Sequence, residues 1–471
     1  MTVSPCHSDF FVYNKRLYQF LFSTQGYCIE HSCTQIVSIS FKIPAVDPLV
    51  VFEQWKCSHQ LSFYWQNPSN CEAIVAIDAI KKLEITKGDR FRQAEEFLKK
   101  YQCKSFIFPN TDLHFAQPLC FCSFSFFHDS QEITYPFPKG TVFLPRYTIS
   151  QKHHEYQLTG NFLISPHSQL QSIIQELEDA IAQIQSLKYI TLPQQFIYPQ
   201  CPQATLIHPE KFQDGVTSAL TSIAQARLHK IVLADVLDVH FVKPFNLCQS
   251  LNNLRHLHPN CYIFATANGK GQYFIGASPE RLISIRNQHL ITDALAGSAP
   301  RGQTPQIDAE NAHRLLHSPK ERHEHHLVID FITQQLSQLG LLPQVFTPRI
   351  RQLSNIQHLW TPIHAKIPPS VHPLQVVAKL HPTPAVAGVD RNIACEEIRH
   401  YETFERGLYA APLGWVDAQG NSEFIVGIRS ALIDCDRARL YAGAGIVAGS
   451  NPVKELAEIQ LKLQAMLKAL V

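Results

Sequence analysis

The sequence predicts a globular protein built from both β-strands and α-helices. Hydrophobic residues make up 45% and charged residues 17% of the 471 positions, which is typical of a chain that buries a large core. Short aromatic and β-branched runs alternate with segments in which apolar residues recur at helical spacing. The length would allow up to three ordinary domains, and no repeat of fixed period marks a solenoid or a propeller.

The first half of the chain predicts strands followed by one long helix. Residues 10–150 contain aromatic and β-branched runs such as QLSFYW (60–65) and KSFIFP (104–109), which favour strands of a mixed sheet. Apolar residues at every third or fourth position predict a helix over 169–190. Three prolines within 191–203 then predict an irregular connection.

The second half of the chain has clearer sequence signals for alternating helices and strands. The pattern predicts a helix over 214–227, followed by a β-rich run over 230–241. Residues 261–287 predict a strand, a glycine-containing turn and a second strand, and residues 289–302 predict a strand that leaves into a Gly/Pro loop.

A further helix is predicted over 318–340 because both of its ends carry helix signals. Ser318 suits the N-cap and Pro319 the first helical position. Glu321 is placed to complete a capping box, and Gly340 suits the C-terminal end.

Charge and cysteine content exclude several classes of protein. The net charge of +2 gives no broad attraction to nucleic acid or to an anionic membrane, and no apolar run is long enough for a spanning helix. The N-terminus lacks the features of a secretory signal. Thirteen scattered cysteines predict reduced thiols in a cytoplasmic protein and do not support a cysteine-built zinc site.

The segment KERHEHHLVID (320–330) raises the question of a zinc site. A zincin motif that starts at His323 requires a second histidine at the position of Leu327, although His323 and His326 could share one helix face. There are two alternatives to a zinc site. The segment could be a solvated helix face rich in Glu, His and Arg, or one carboxylate could take part in the chemistry while His325 and the other histidines do not.

The C-terminal segment 449–471 predicts another helix. Ser450 or Asn451 can cap it, and an apolar stripe of Leu456, Ile459, Leu463, Met466 and Leu470 follows at helical spacing. Glu455, Glu458 and Lys462 share another face. They form either an exposed ion pair worth about 0.3–0.5 kcal/mol or, with a carboxylate on the 318–340 helix, a site for a hard cation such as Mg²⁺.

From about residue 205 onward the chain resembles the chorismate-utilising enzymes, which include anthranilate, aminodeoxychorismate, salicylate and isochorismate synthases. Eight stretches carry the resemblance in the order of the family: KIVLAD, FIGASPERL, DALAGSAPRG, SPKERHEHHLVID, LHPTPAVAG, ERGLYAAPLGW, FIVGIRSALI and YAGAGIVAGSNPVKELAEIQLK. The resemblance implies an α+β fold of the anthranilate-synthase and ADC-synthase type, with packed antiparallel β-sheets and helices outside. Residues 1–200 would be the variable part of that fold and 205–471 the chorismate-binding catalytic region.

Two stretches are most similar to isochorismate synthases, LHPTPAVAG and GLYAAPLGW. The Leu-Leu-Glu-Ser element of tryptophan-regulated anthranilate synthases is absent, and Thr383 and Ala385 stand where aminating enzymes tend to have Ser and a bulkier residue. The resemblance therefore implies Mg²⁺-dependent isomerisation of chorismate to isochorismate for menaquinone, siderophore or salicylate formation, with no nucleic acid, membrane or obligatory protein partner. Alternatives are a salicylate synthase, an aminating synthase and an inactive binding protein.

The resemblance also implies roles for individual residues. Lys230 matches the general base and Glu280 the general acid, Glu324 and Glu458 match the Mg²⁺ ligands, and Glu321 and Glu455 would hold metal-bound waters. The residues expected to bind substrate or to shape the pocket are Leu295, Gly297, Ser298, His381, Thr383, Ala385, Arg429, Tyr441, Gly443, Gly445 and Lys462. The glycines are expected in turns whose backbone N–H groups approach an anion.

Simpler interpretations of the same residues stay open. Lys230 could protect an exposed strand edge, and Glu280 could be a surface residue paired with Arg281. Asp235 stands where the family commonly has Arg, and a carboxylate near Lys230 would oppose its function as a base. Strand alternation, however, predicts that residues 230 and 235 face opposite sides.

Overall fold

Two large β-sheets with helices around them form the body of the molecule in a computed structural model. The structure describes residues 7–102, 104–109, 115, 117–128, 135–187, 190, 192, 203–206, 209–353 and 356–470. Most of the predicted connection 191–203 lies outside these residues.

The helices lie between the strands along the whole chain. Their bounds are α1 His7–Glu30, α2 Pro48–Trp55, α3 Arg90–Tyr101, α4 Leu170–Ser186, α5 Pro209–Ala224, α6 Leu247–Leu257, α7 Pro305–His317, α8 Pro319–Gln338, α9 Pro373–Leu380, α10 Arg391–Tyr401 and α11 Pro452–Leu467.

The strands fall into an N-terminal and a C-terminal set. The first set is β1 Gln35–Lys42, β2 Ser62–Asn67, β3 Glu72–Ile77, β4 Lys81–Ile85, β5 Phe106–Ile107, β6 Leu119–Phe124, β7 Gly140–Leu144, β8 Tyr147–Lys152, β9 Glu155–Ile164 and β10 Gln203–Leu206. The second set is β11 Lys230–His240, β12 Tyr262–Ala267, β13 Gln272–Ser278, β14 Arg281–Arg286, β15 His289–Pro300, β16 Gln344–Val345, β17 Arg349–Gln352, β18 Ile356–Lys366, β19 Gly388–Val389, β20 Pro412–Asp417, β21 Ser422–Val426, β22 Ser430–Asp434 and β23 Arg437–Ile446.

Both sheets combine strands of the two sets. The first sheet runs β10-β11-β23-β22-β13-β12-β2-β3-β8-β9-β1-β5, with β19 beside β11. The second runs β16-β18-β15-β14-β21-β20-β6-β7-β4, with β17 beside β18. The described pairs are antiparallel except for β1 and β5. One hydrophobic cluster extends from Phe63 and Phe121 to Leu440 and Ile459, so the two sets of strands share a core. The division at residues 200–205 stays a prediction.

The predicted strand–turn–strand unit at 261–287 is incomplete, because it contains three strands. β12 and β13 pair in the first sheet, and the chain then passes through Pro279 and Glu280 into β14 of the second sheet. Glu280 therefore lies in the connection between the sheets and not on the second strand that the pattern predicts within 261–287, so this prediction was wrong for Glu280. Proline cannot donate to a ladder, which suits this break.

The helices predicted from capping signals begin where the signals stand. In α8, Ser318 Oγ accepts a hydrogen bond from the N–H of Glu321 at 3.3 Å. In α11, Asn451 Oδ1 accepts from the N–H groups of Val453 and Lys454 at 3.0 and 3.2 Å. The capping box itself was wrongly predicted, since the N–H of Ser318 donates to Arg314 at the end of α7.

α8 packs against β15, and α11 packs against β23. This arrangement brings one glutamate-bearing helix to each sheet. Within the described part of the chain, no helix is both long and apolar enough to cross a membrane.

Candidate active site

A cavity of about 160 Å³ lies between the two sheets and is closed by α8 and α11. Thirteen of the predicted site residues line it: Lys230, Glu280, Leu295, Gly297, Ser298, Glu324, Ala385, Arg429, Tyr441, Gly443, Gly445, Glu458 and Lys462. These residues come from strands, helices and loops that are far apart in the sequence. The fold thus brings most of the predicted set into one place.

Lys230 begins β11 and is buried at one end of the cavity. Its Nζ lies 2.5 Å from Oε1 of Glu324 on α8, and the two side chains form an ion pair with exposed fractions of 3% and 17%. Its backbone pairs with Val389, so β19 covers the end of β11. Lys230 is consequently no exposed strand-edge lysine.

Glu280 is buried in the connection between β13 and β14, with 6% of its surface exposed. Burial raises the pKa of this carboxyl to about 7, while the nearby Lys230 opposes the rise and Asp293 adds to it. A carboxyl group with such a pKa is partly protonated near neutrality. It can therefore donate a proton, which the simpler interpretation of a surface Glu–Arg pair would not allow.

A second cation–carboxylate pair lies on α11. Lys462 Nζ lies 2.7 Å from Glu458 Oε1 and donates a hydrogen bond of 2.8 Å to the carbonyl oxygen of Gly443 on β23. The bond to Gly443 points the lysine toward the cavity. Lys462 is thus held against the sheet, and Glu458 is held beside it.

The acidic residues of α8 and α11 are arranged in matching pairs. Glu321 precedes Glu324 by three positions, and Glu455 precedes Glu458 in the same way, so each pair shares one helix face. Burial raises the pKa values of both Glu321 and Glu455, and in each case the neighbouring glutamate adds to the increase. Neither Glu321 nor Glu455 belongs to the cavity lining.

The carboxylate oxygens of Glu324 and Glu458 are of the type that a hard divalent cation binds, and each is paired with a lysine. Among the described residues, no group of three or more His, Cys, Asp or Glu side chains forms a ready metal site. Mg²⁺, however, is often held by one or two carboxylates together with waters and an anionic substrate. Glu324 and Glu458 offer this kind of incomplete, all-oxygen site.

Arg429 lines the cavity, and its backbone has a strained conformation. Its φ of +49° is unusual for a residue with a side chain. Burial lowers the pKa of the guanidinium, and its Nη1 contacts the Sγ of Cys261 at 3.8 Å. A thiol is a weak acceptor, so most of the donor capacity of Arg429 stays available for an anion.

The glycines differ from the prediction. Gly297 has a φ of +76° and forms a bulge in β15, as a turn-like glycine would. Gly443 and Gly445 are not in a turn but within β23, with Gly445 next to the end of the strand. A Cβ at Gly443 would lie 2.7 Å from the hydroxyl of Tyr409, and one at Gly445 would lie 3.3 Å from Cε of Lys230. They are needed because the side chains that face them occupy the space.

Ser298 uses its polar groups within the protein. Its N–H donates to Glu321 Oε2 at 3.2 Å, and its hydroxyl lies 2.8 Å from Nδ1 of His358. The expected anion-binding N–H group thus serves Glu321 instead. Ser298 connects β15 to both α8 and β18.

His381 and Thr383 lie behind the cavity wall. Nε2 of His381 lies 3.0 Å from the carbonyl oxygen of Ala410, and burial lowers the pKa of this ring to about 3. Thr383 approaches Glu280 and counteracts part of the increase in its pKa. Neither residue is part of the cavity lining, so their expected place in the pocket was wrong.

The histidines of α8 have ordinary surroundings. His323 and His326 are exposed, whereas His325 is buried with Nε2 2.7 Å from the hydroxyl of Thr361. Burial lowers the pKa of His325 to about 4, which keeps the ring neutral. Glu324 is therefore the residue of this segment that reaches the cavity.

Asp235 faces away from Lys230. It lies beside Phe212, Tyr401 and Glu402 around a separate small cavity on the other side of β11. Its Oδ1 accepts from the N–H of Val236 at 2.8 Å. The predicted alternation along the strand thus removes Asp235 as an objection to Lys230, and Glu324 is the carboxylate that pairs with this lysine.

Two polar residues that line the cavity were not predicted from the sequence. His358 on β18 lines the cavity, and burial lowers its pKa to about 3. Tyr409 also lines it and stacks on Tyr441, with ring centroids 5.2 Å apart. His358 lies opposite Ser298 where β15 pairs with β18. Knowledge of this pairing would have identified the histidine, but strand pairing cannot be predicted from one sequence.

Comparisons with known proteins extend over nearly the whole chain. A family model described as "Chorismate binding enzyme" matches residues 23–471. The salicylate biosynthesis isochorismate synthase of Pseudomonas aeruginosa is 33% identical over 450 residues, which cover 92% of this chain and 90% of the relative. The isochorismate synthase MenF of Bacillus subtilis is 31% identical over 452 residues, covering 92% and 93%.

Solved structures are also similar over most of the chain. The menaquinone-specific isochorismate synthase MenF from Escherichia coli has a TM-score of 0.77 at 28% identity, and the match covers 96% of this chain and 99% of that one. Anthranilate synthase component I from Streptococcus pneumoniae has a TM-score of 0.69 at 20% identity over 90% and 97% of the chains, a likeness of fold alone. The predicted fold of packed antiparallel sheets is thereby confirmed.

Proposed function

The chain belongs to the chorismate-binding enzyme family, and we propose that it is an isochorismate synthase, which isomerises chorismate to isochorismate. Relatives that are similar over more than nine tenths of this chain carry that activity in their names. They support the choice made from LHPTPAVAG and GLYAAPLGW over an aminating enzyme.

One observation carries the proposal. A single cavity holds a buried amine, Lys230, and a buried carboxyl group, Glu280, whose pKa is raised to about 7. An acid–base pair of this kind is what the exchange of one hydroxyl group for another requires, and each positioned group contributes about 10²–10⁴-fold.

The proposed reaction leaves the composition of the substrate unchanged. A water oxygen forms a bond to C2 of the ring while Nζ of Lys230 accepts a proton from that water. The ring double bonds shift, the bond between C4 and its hydroxyl breaks, and Glu280 donates the proton with which the hydroxyl leaves as water. Lys230 and Glu280 return to their starting states by proton exchange with solvent.

Substrate binding depends on the positive side chains and the open backbone of the cavity. Arg429 can hold a substrate carboxylate through its guanidinium fork, and Lys462 can contribute a second positive charge. Gly443 and Gly445 line the cavity and let the side chains of Tyr409 and Lys230 approach β23 closely. Leu295 and Ala385 form part of the apolar wall.

Glu324 and Glu458 would hold the magnesium ion that the family resemblance implies, and Glu321 and Glu455 would bind its waters. When bound, such an ion supplies positive charge that neutralises a substrate carboxylate. A cytoplasmic location and activity without an obligatory protein partner remain predictions.

Incubation of the protein with chorismate and Mg²⁺, followed by separation of the products, tests the proposal. We expect isochorismate without free pyruvate, and without an aminated product when ammonia is added. Pyruvate with salicylate would identify a salicylate synthase, and an ammonia-dependent product would identify an aminating enzyme.

Variants of the two acid–base residues test the assignment of roles. We expect Lys230→Ala and Glu280→Gln each to lower turnover by at least ~10²-fold. Lys82→Ala serves as a control, because Lys82 is an exposed lysine paired with Glu84 on β4. Near-normal turnover in either active-site variant would remove that residue from the mechanism.

A further inference from the structure

A buried cluster of charges lies next to Glu280. Asp293 on β15 has a side chain that is only 2% exposed. Its Oδ1 accepts hydrogen bonds of 2.9 Å from Nη2 of Arg281 and of 2.9 Å from Nε1 of Trp360. Its Oδ2 lies 4.0 Å from Nη1 of Arg351 on β17. Asp293 thus connects three strands of the second sheet.

The partner of Arg281 is unexpected from the sequence. Arg281 directly follows Glu280, so the simplest interpretation of the sequence pairs the two. In the structure the guanidinium pairs with Asp293, and among the described residues no ion pair joins Arg281 to Glu280. Arg281, the arginine next to Glu280 in the sequence, is therefore held by Asp293 and not by Glu280.

We propose that Asp293 is a positioning residue of the active site: its carboxylate anchors the guanidinium of Arg281 and prevents it from pairing with Glu280, the proton donor. This inference rests on the proposed function. It gives a role to a residue that does not line the cavity.

The chemical reason is the charge state that the donor must keep. A guanidinium within about 4–6 Å of a carboxyl group favours its ionised form and lowers its pKa by roughly 1–3 units. An ionised Glu280 could not protonate a leaving hydroxyl. An arginine adjacent in sequence must therefore be neutralised elsewhere, and Asp293 is the buried carboxylate that does so.

The other groups that act on Glu280 come from several elements. Lys230 of β11 and Arg351 of β17 favour its ionised form, as does the hydroxyl of Thr383, whereas Asp293 of β15 opposes it. The phenol of Tyr409 faces it from the segment before β20. Asp293 is the negatively charged member of this set, and it also pairs with Arg281 and Arg351.

The test is an infrared pH titration of the full-length protein, because it measures the protonation of Glu280 without turnover. The carboxylic acid C=O band that is present in the wild type and absent in Glu280→Gln reports this group. We expect Asp293→Asn to lower the midpoint of that band by about one pH unit or more. We also expect the double variant Asp293→Asn with Arg281→Gln to return the midpoint most of the way to the wild-type value.

Two outcomes would overturn the proposal. Either Asp293→Asn leaves the midpoint unchanged, or the double variant keeps the lowered midpoint, which would show that Asp293 does not act through Arg281. Asp47→Asn is the matched control, because it disrupts another partly buried Asp–Arg pair, with Arg255 at 2.8 Å, away from the cavity. It should not move the midpoint.

A third variant keeps the test decisive if Asp293→Asn fails to fold. Arg281→Gln leaves Asp293 without its main counter-charge, so the midpoint should rise, and a fall or no change would contradict the proposal. Wild-type turnover of chorismate is measured separately. A wild type that is inactive on chorismate overturns the proposed function, whereas the infrared midpoints decide the role of Asp293.

Discussion

The protonation of Glu280 links the structure to measurable behaviour. Its carboxyl is buried in the connection between β13 and β14, and burial is the largest cause of its raised pKa. Lys230, in the same cavity, limits the rise. The proposed tasks of the two groups are opposite, because Glu280 would donate a proton and Lys230 would accept one.

This arrangement predicts the high-pH side of the activity profile. The proposed acid, Glu280, acts in its protonated form, so kcat/KM should fall as pH rises through about 7, the value to which burial raises its pKa. The measurement is kcat/KM from pH about 5 to about 9 at saturating Mg²⁺, because kcat/KM reports the protonation of the free enzyme. A profile that stays flat through neutrality would argue against Glu280 as the acid.

The same carboxyl should make stability depend on pH. Its pKa is about 7 in the fold and about 4.5 in the unfolded chain, so the folded state binds more protons between these values. The free energy of unfolding should therefore decrease as pH rises from about 4.5 to about 7, and this decrease should be absent in Glu280→Gln. Urea unfolding at pH about 5 and about 8 measures it. An equal pH dependence in both proteins would contradict the raised pKa.

At the level of elements, the two helices that carry the proposed metal ligands depend on their first turns. Asn451 caps α11 through two N–H groups, and Glu455 and Glu458 lie in the turns that follow. A capping side chain fixes where the helix begins. It therefore also fixes where these carboxylates stand.

Removal of this cap should be measurable. We expect Asn451→Ala to lower the free energy of unfolding by about 1 kcal/mol, since a lost N-cap costs roughly 0.5–2 kcal/mol. Asn451→Asp keeps an acceptor at the same position and should stay close to the wild type. Urea unfolding of the three proteins gives the comparison, and an alanine variant as stable as the wild type would show that the cap contributes nothing.

Local elements were predictable where the signal is local. Ser318, Pro319 and Asn451 marked helix starts because capping depends on the backbone of the next three residues. The passage of the chain from β13 to β14 was not predictable, since it depends on which strands pair. The position of Gly443 and Gly445 inside β23 was missed for the same reason, because a glycine that makes room for Tyr409 or Lys230 has the same sequence signal as a turn.

At the level of the whole molecule, the site joins residues from Lys230 to Lys462, and neither periodicity nor composition brings these together. The family resemblance did so, because the order of the motifs carries the arrangement of a known fold. His358 and Tyr409 were not predicted as site residues, although both lie in the part of the chain that resembles the family. Asp293 stood inside a quoted motif without a role, since its partners Arg281 and Trp360 are defined only by the folded sheet.

Metal binding would require α8 and α11 together, because each helix carries one of the two proposed ligands. We expect Mg²⁺ to raise the melting temperature of the wild type, because a ligand that binds only the folded state stabilises it by about 2.7 kcal/mol at 100 times its Kd. The increase should be lost in Glu458→Gln and in Glu324→Gln. Glu84→Gln removes an exposed, lysine-paired glutamate and should retain it. An unchanged Mg²⁺ effect in both site variants would place the ion elsewhere.

The position of α11 has a consequence for the integrity of the fold. Glu458 and Lys462 reach the cavity from this one helix, whose Ile459 and Leu463 are buried. α11 packs on β23, the strand that carries Gly443 and Gly445. Unfolding of this helix would therefore uncover apolar surface and remove two polar side chains from the cavity at once, which makes such a chain prone to recognition by chaperones.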